Sequence, residues 1–301
     1  MSNLSLYLAT ILIWGSTWFA IKLQLGVVPP AVSVTWRFLA AAVILLGYAR
    51  LRGLPLRYSR RDHLWMALQG LMLFCLNYVG FYLAEQTLNS GLVAVICSMM
   101  LIGNIAGMRL FFGVPLQPVN LLGGLIGVGG VALLFLPELR AVVAEGRVPA
   151  GIALAVGATV SASLGNMVAT RNHRAGVPIL QLNGWSMLYG ALITGGVAAA
   201  LGQHFIFDGS WRYLGSWAYL VVFGSVLAFG AYLTLMQRIG AHRAGYAMVA
   251  IPVVALLIST GLEQLQWTAN LWAGVALCVI GNVLVLGRRA AARAAPPARH
   301  N

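Results

Sequence analysis

The sequence predicts an all-α integral membrane protein whose ten transmembrane helices form two inverted five-helix repeats. Of the 301 residues, 60% are apolar and only 8% are charged, whereas a soluble domain carries roughly 25% charged residues. So few charges cannot cover a surface that faces water. The apolar residues gather in runs of about 18–23, the length of helix that spans about 30 Å of hydrocarbon. A third observation is that stretches of the first half recur in the second half.

Ten apolar runs follow one another along the chain and are separated by short links. The predicted spans lie near Leu4–Leu25, Ala31–Ala49, His63–Ala84, Ser90–Phe112, Val119–Leu136, Ala150–Thr170, Pro178–Ala200, Leu214–Met236, Ala244–Leu262 and Asn270–Leu286. Prolines at positions 29, 30, 115, 118 and 178 mark several of the turns, because proline does not continue a helix. The first run is too long for the apolar core of a signal peptide, so we interpret it as the first span.

The basic residues indicate the orientation of the spans, since cytoplasmic loops are enriched in lysine and arginine. With both termini cytoplasmic, 14 of the 19 basic residues lie on the cytoplasmic side, namely Arg50, Arg52, Arg57, Arg60, Arg61, Arg109, Arg171, Arg174, Arg238, Arg243, Arg288, Arg289, Arg293 and Arg299. The basic tail, residues 288–301, is expected to be disordered. The net charge of +13 is distributed among the links and forms no single patch, so we predict no nucleic-acid partner.

An internal repeat divides the chain. The stretch after Ser90-Gly91, LVAVICSMMLIGNIAGM, resembles the stretch after Ala244-Gly245, YAMVAIPVVALLISTGL. A glycine-bearing closing span follows each of them. We therefore assign residues 1–148 to a first five-helix repeat and residues 149–287 to a second. Because five is odd, the second copy is inverted in the membrane, which is typical of secondary transporters that bind substrate near the midplane. A duplication that serves structure alone is the alternative.

Several motifs, taken in order, resemble a known family. They are ILIWGSTWFAIK at Ile11–Lys22, Arg37-Phe38 shortly after two prolines, LNYVGFYLAEQTLNSGLVAVI at Leu76–Ile96, and AGYAMVAIPVVALLIS with EQLQWT within Ala244–Thr268. The chain is thereby similar to the drug/metabolite transporter superfamily, specifically to its EamA-type ten-helix exporters. The resemblance implies a secondary transporter of a bacterial inner membrane that exports amino acids or other small metabolites, aromatic amino acids among them. The sequence departs from the family pattern at Ser98, Val114 and Ala162.

The first helix offers candidate substrate contacts, because polar side chains within a membrane are costly and often functional. Trp14, Trp18 and Lys22 are spaced by four residues, so they share one stripe of the helix. Lys22 lies about 26 Å from the cytoplasmic end of that helix. Two interpretations of Lys22 are open: its ammonium reaches the outer interface, or it pairs with the carboxylate of a substrate.

Further candidates lie on other helices. Tyrosine hydroxyls and amides need partners, which favours a cavity over lipid for the aromatic and polar face of the third helix. The substrate-binding candidates outside the first helix are Asn77, Tyr78, Tyr82, Ser98, Ser163, Asn166, Tyr232 and Pro252. For Asn166 the alternative is a hydrogen bond between helices, and for Pro252 it is a simple kink.

Arg37 lies about 9 Å into the second span, and a buried arginine needs a partner. We predict a structural ion pair between Arg37 and either Glu85 or Glu263. No acidic residue is placed at mid-membrane, so a cavity with one lysine and many aromatic rings suits a neutral or zwitterionic apolar solute better than a cation.

Two other functions are alternatives to the transport of metabolites. A broad drug efflux carrier would be expected to transport cationic dyes. A membrane enzyme would need catalytic groups gathered at one interface, but the five histidines are scattered and the three cysteines have no metal-ligand spacing. We therefore predict no catalytic residue, metal or cofactor. The predicted partners are a small-molecule substrate and the lipid bilayer, and the chain is expected to act as a monomer.

Overall fold

The computed structural model describes residues 1–88, 93, 96–134, 136, 140, 149–263 and 268–294, with the backbone alone at 258–263 and 285–294. All regular structure within these residues is helical. The helices are α1 Asn3–Lys22, α2 Pro30–Leu51, α3 Arg60–Ala84, α4 Met100–Phe112, α5 Pro118–Leu134, α6 Pro149–Arg174, α7 Ile179–Ala200, α8 Trp211–Ile239, α9 Ala247–Glu263 and α10 Ala269–Ala294. A four-residue helical turn, Ala241–Ala244, precedes α9.

The apolar runs of the sequence account for the length of these helices. Five of them, α1, α2, α3, α6 and α8, are long and apolar enough to cross a membrane by length and composition. The described parts of α4, α5, α9 and α10 include shorter apolar helices. Leucine, valine and isoleucine side chains are exposed on the outer faces, as expected of helices that face lipid.

Serine and proline set several helix starts, and glycine sets several ends. The side chains of Ser2, Ser59 and Ser210 each accept a hydrogen bond from a backbone N–H in the first turn of α1, α3 and α8. Pro30 is the first residue of α2, where its missing N–H is not needed. Gly113 ends α4 with a left-handed φ of 67°, which an L side chain rarely adopts.

Two helices each contain a π-helical stretch. In α3 it covers Gly70–Leu76, between the α-helical parts Arg60–Gln69 and Asn77–Ala84. In α8 it covers Leu220–Leu227, between Trp211–Tyr219 and Ala228–Ile239. A π-helical turn shifts the backbone hydrogen bonds to i→i+5 and is often found at functional sites.

The most extensive helix packing is between α5 and α10 and between α2 and α7. Glycine brings α5 and α10 together: a Cβ at Gly130 would lie 2.8 Å from the backbone of Gly274 and Cys278. The contacts of α1 are mainly with α8 and α9, and those of α6 mainly with α3 and α4. This packing leaves α1, α3, α6 and α8 around the centre of the molecule.

The C-terminal helix corrects one prediction about the tail. Residues 288–301 were expected to be disordered, but α10 continues to Ala294. The helix therefore extends past Leu286, where the predicted last span ends. Alanine and arginine, which fill this stretch, are among the strongest helix formers. Residues 295–301 lie outside the described part of the chain.

Candidate functional site

A cavity lies at the centre of the molecule, and its empty space, with the part that is open to solvent included, is about 800 Å³. Its walls come from α1, α2, α3, α6, α8 and α9, together with Cys97 and the first residue of α4. The described side chains of α5, α7 and α10 contribute no lining residue. The lining of the cavity is mainly apolar, as in most pockets that bind small organic ligands.

Aromatic rings form one side of the cavity. The rings of Trp14 and Phe229 meet edge to face with 4.9 Å between centroids, and those of Trp14 and Tyr232 lie 5.1 Å apart. The indole N–H of Trp14 donates a 3.0 Å hydrogen bond to the carbonyl of Gly224, in the π-helical stretch of α8. This bond fixes the ring plane, so the indole is a rigid wall. Trp18 and Phe81 form a second pair, 6.3 Å apart.

Arg37 brings a charge to the cavity and is the one charged residue among those that line it. Its side chain is buried, with 1% of its surface exposed. Nε donates to Ser225 Oγ at 2.9 Å, and the guanidinium carbon lies 4.8 Å from the ring centroid of Tyr78 and 5.4 Å from that of Phe38. Nη1 is buried and makes no hydrogen bond with any residue in the described part of the chain.

A cluster of polar side chains closes the cavity on the side of α4, α6 and α8. Asn166 Nδ2 lies 3.2 Å from Asn104 Oδ1 and 3.3 Å from the hydroxyl oxygen of Tyr232. Asn104 Nδ2 lies 3.5 Å from the same hydroxyl and from the carbonyl of Ala241. The three side chains are buried and satisfy one another, which makes the cluster a stable bridge among three helices.

The lining residues come from both halves of the sequence, and a comparison with protein families divides the chain in the same way. A model described as the EamA-like transporter family matches residues 1–136 and 149–287. The chain belongs to the EamA-like transporter family. This finding confirms the family resemblance that the motifs predicted. Together with the long apolar helices, it identifies the chain as a multi-pass membrane protein.

Other proteins resemble this EamA-family chain in sequence, and a solved structure resembles it in fold. It is 35% identical over 127 residues to a protein of Escherichia coli (strain K12) named "Uncharacterized inner membrane transporter YedA", covering 42% of this chain and 41% of that one. It is 26% identical over 133 residues to "Protein PagO" of Salmonella typhimurium, covering 44% of each. The chain thus covers less than half the length of these relatives. A solved structure titled "Crystal structure of protein" shares the fold, with a TM-score of 0.78 at 20% identity over 95% of this chain and 98% of that chain.

The structure of this EamA-family member brings most of the predicted site residues together. Those that line the cavity are Trp14, Trp18, Asn77, Tyr78, Tyr82, Asn166, Tyr232 and Pro252. Ser98 and Ser163 are buried but are not lining residues. Ser163 Oγ lies 3.4 Å from the carbonyl of Met100 and packs where a Cβ of Gly103 would be. These two serines face helix contacts, so their mid-depth position alone did not identify the cavity face.

Two charged residues lie where the sequence did not predict them. Arg37, predicted to be structural, lines the cavity, and Lys22, a candidate substrate contact, does not. Lys22 is exposed at the end of α1 and is not a lining residue, although its neighbour Ile21 is. The ion pair of Arg37 with Glu85 is not formed: Arg37 is bonded to Ser225, and both carboxylate oxygens of Glu85 are buried without a hydrogen bond. The side chain of Glu263 lies outside the described residues.

Glu85 follows the last residue of α3 and has an unusual electrostatic environment. Burial raises the pKa of its carboxyl to about 8, and the positive charge of Lys22 opposes that rise. The carboxyl group is thus more easily protonated than an exposed glutamate. It is the acidic neighbour of Lys22, and it is not part of the cavity lining.

Sequence reasoning missed several lining residues, which are Thr17, Ile21, Leu73, Cys97, Met100, Ala162, Phe229, Met248 and Ile251. Most are apolar, and an apolar residue in a membrane helix carries no signal that separates a cavity wall from a helix contact. Two polar residues near the site were also missed. Asn104 holds Asn166, and Gln24 accepts a 3.0 Å hydrogen bond from the hydroxyl of Tyr82. Both are polar residues within apolar segments, and on that ground the sequence could have identified them as candidates.

Proposed function

We propose that this chain is a secondary transporter that exports small metabolites by alternating access through the central cavity. Its main substrates in this proposal are amino acids with apolar or aromatic side chains. The observation that carries the proposal is the cavity, in which aromatic rings and one buried cation line a space of about 800 Å³. The E. coli relative named an inner membrane transporter supports the same kind of activity.

The helix packing supports ten spans arranged as two inverted five-helix repeats. Exchanging α1–α5 with α6–α10 would turn the contact of α1 with α9 into that of α6 with α4, and both contacts are extensive. It would likewise turn the contact of α3 with α6 into that of α8 with α1, and both are extensive too. The two π-helical stretches lie in α3 and α8, which correspond under this exchange. Two equivalent halves supply the two states that alternating access requires.

The proposed orientation has both termini in the cytoplasm, with the chain in a bacterial inner membrane. Arg238 Nη1 donates a 2.8 Å hydrogen bond to the carbonyl of Met1, and Arg171 lies 4.0 Å from Asp62. Both contacts join residues that the distribution of basic residues assigns to the cytoplasmic side. The cavity is formed by helices of one chain, which supports a monomer as the functional unit.

Efflux from proteoliposomes tests this function. The purified chain is reconstituted into vesicles loaded with labelled L-phenylalanine, and the wild type is compared with Trp14→Ala and Trp211→Ala. We expect wild-type efflux to exceed that of empty vesicles. Trp14→Ala is expected to lower it by about 10-fold, because a cavity wall is lost. Trp211, which is 86% exposed, is the matched control, and its replacement should leave efflux unchanged.

Three outcomes would count against the proposal in different ways. Efflux of cationic dyes without efflux of amino acids would point to a broad drug carrier. Amino-acid efflux that Trp14→Ala and Trp211→Ala reduce equally would keep the transport activity but exclude the cavity as its route. Efflux of neither class of solute would overturn the assignment as a transporter of these solutes.

A further inference from the structure

Two buried polar atoms among the lining residues have no hydrogen-bond partner among the residues that the structure describes. One is Nη1 of Arg37, a donor that carries part of a positive charge, and the other is Oδ1 of Asn77, an acceptor. Arg37 and Asn77 are 1% and 6% exposed, respectively. Buried polar atoms are nearly always paired, so two unpaired atoms of opposite character in one cavity indicate groups that a ligand satisfies.

The position of Arg37 suits a carboxylate. Its Nε donates to Ser225 Oγ, and its guanidinium carbon lies 4.8 Å from the ring centroid of Tyr78, so the side chain is held in one orientation. The free Nη1 then presents a fixed, charged donor. Leaving such a donor buried and unpaired costs more than leaving a neutral one. A planar guanidinium is the side chain that best fits the geometry of a carboxylate.

Asn77 offers the complementary interaction. Its Nδ2 donates a 3.3 Å hydrogen bond to the carbonyl of Leu73, one turn earlier in α3, so its Oδ1 is the atom left for a ligand. This oxygen accepts from an ammonium or an N–H group. No carboxylate side chain lies among the lining residues, so the cavity in the described structure can receive an amino group only through neutral acceptors. Such a site disfavours a ligand with net positive charge.

The geometry points to a zwitterionic α-amino acid with an aromatic or large apolar side chain as the ligand, its carboxylate on Arg37 and its amino group on Asn77. The side chain then packs on the rings of Trp14 and Phe229. The biological role of this ligand rests on the proposed transport function. The assignment itself concerns binding, so it is tested without measuring transport. It makes Arg37 and Asn77 the residues that determine specificity.

The test uses three probes that differ by one group: L-phenylalanine, L-phenylalaninamide, which lacks the carboxylate, and 3-phenylpropionate, which lacks the amino group. Binding of each to the full chain in lipid nanodiscs is measured by calorimetry. The wild type is expected to bind L-phenylalanine at least about 10-fold more tightly than either analogue, since each analogue leaves one buried polar atom unpaired.

Two variants assign the two contacts. Arg37→Gln should lose the preference for L-phenylalanine over its amide, by about 10-fold, but keep the preference over 3-phenylpropionate. Asn77→Leu should show the reverse pattern. Arg174→Gln, the same change at an exposed arginine outside the cavity, should change neither preference. Each variant retains one preference, and this retained preference reports that the cavity is still folded.

The outcomes separate this inference from the transport function. If Arg37→Gln weakens all three probes equally, or if the wild type does not distinguish them, the inference is overturned even where proteoliposomes transport amino acids. If the wild type binds 3-phenylpropionate as tightly as L-phenylalanine, the amino-group contact is wrong. If the predicted preferences appear but no efflux is measured, the ligand assignment stands and the transport function fails.

Discussion

Helices α3 and α8 can be compared directly, since each is interrupted by one π-helical stretch. In both stretches a carbonyl accepts a hydrogen bond from a side chain on a neighbouring helix. Ser161 Oγ in α6 donates to the carbonyl of Met72 at 2.9 Å, and Trp14 Nε1 in α1 donates to that of Gly224 at 3.0 Å. The common cause is that a π-helical turn redirects carbonyls and leaves some of them available to other donors.

The two π-helical stretches differ in how they contact a second neighbouring helix, which is α7 for the stretch in α3 and α2 for the stretch in α8. In α3 the stretch packs against α7 through backbone, since a Cβ at Gly70 would lie 2.3 Å from the carbonyl oxygen of Ser186. In α8 the stretch packs against α2 through Arg37, whose Nε bonds to Ser225. In α3, Gly70 allows the π-helical stretch to pack closely against α7. In α8, Ser225 accepts a hydrogen bond from Arg37 and so holds a buried charge in place. The same backbone feature thus allows close helix packing in one half and holds a buried charge in the other.

The largest effect that tests this comparison is expected at Gly70. In Gly70→Ala the new methyl group would meet backbone atoms of Ser186 and Gly190, which cannot move aside as a flexible side chain would. Overpacking a close contact costs about 1–3 kcal/mol, so we expect little folded protein and a much lower Tm. Size-exclusion profiles and thermal unfolding in detergent measure this. Gly196→Ala in α7 is the control, since a Cβ there meets nothing within 4 Å; equal behaviour of the two variants would contradict the argument.

The next effect concerns the end of α3, where burial raises the pKa of Glu85 from 4.5 to about 8. Because the folded chain holds this proton more tightly than the unfolded chain, folding is favoured at low pH. That stability is lost as pH rises from about 4.5 through 8. We expect Tm to fall by about 5 °C over this range, and Glu85→Gln to remove most of the fall.

Asp208→Asn is the control for the Glu85 experiment, since the carboxylate of Asp208 bonds to Ser210 outside the helices. It should leave the pH dependence in place. A wild-type Tm that is constant between pH 5 and 8 would show that the Glu85 carboxyl is not buried in solution. A pH dependence that survives Glu85→Gln would assign it to another group.

A smaller effect is expected at Ser225, in the stretch that holds Arg37. Ser225→Ala removes the acceptor of Arg37 Nε and allows the guanidinium to turn. We expect the affinity for L-phenylalanine to fall about 10-fold, since a hydrogen bond to a charged group is lost. Calorimetric binding at constant temperature is the measurement. An unchanged affinity would mean that Arg37 needs no support from α8.

The smallest effect is expected at Ser161, the counterpart in the other half. Ser161→Ala removes the bond to the carbonyl of Met72 and should lower stability by about 1 kcal/mol. The affinity for L-phenylalanine should not change, because this stretch holds no charged group at the cavity. Thermal unfolding and calorimetry on the same sample measure both quantities. If Ser161→Ala weakened binding as much as Ser225→Ala, the two stretches would not differ in function.

Composition and the length of the apolar runs predicted the helices well. The reason is that backbone groups within lipid must form their hydrogen bonds inside the segment, as they do in a helix. Helix α1 begins at Asn3 where Leu4 was predicted, and α7 covers Ile179–Ala200 within the predicted Pro178–Ala200. The π-helical stretches were not predicted. Their residues are ordinary helix formers, and contacts between helices that are distant in sequence decide whether a turn widens.

The site was predicted in part, for a related reason. Helical spacing places Trp14, Trp18 and Lys22 on one face, and the first two line the cavity. A spacing of four residues does not fix which residue of the last turn faces the cavity, so Lys22 was included, although it is exposed and its neighbour Ile21 is the lining residue. Arg37 was recognised as costly to bury, but its bond to Ser225 joins α2 to α8, and a single sequence gives no sign of such a pair.

The packing of α1 has a consequence for how the chain is made. Its main contacts are with α8 and α9, which leave the ribosome long after it does. During most of synthesis α1 is therefore in the bilayer without its final neighbours. It can be stable there because the helix is apolar on nearly every side. Many contacts join the two halves, so the core is complete only after the late helices α8, α9 and α10 have packed against helices that were synthesised much earlier.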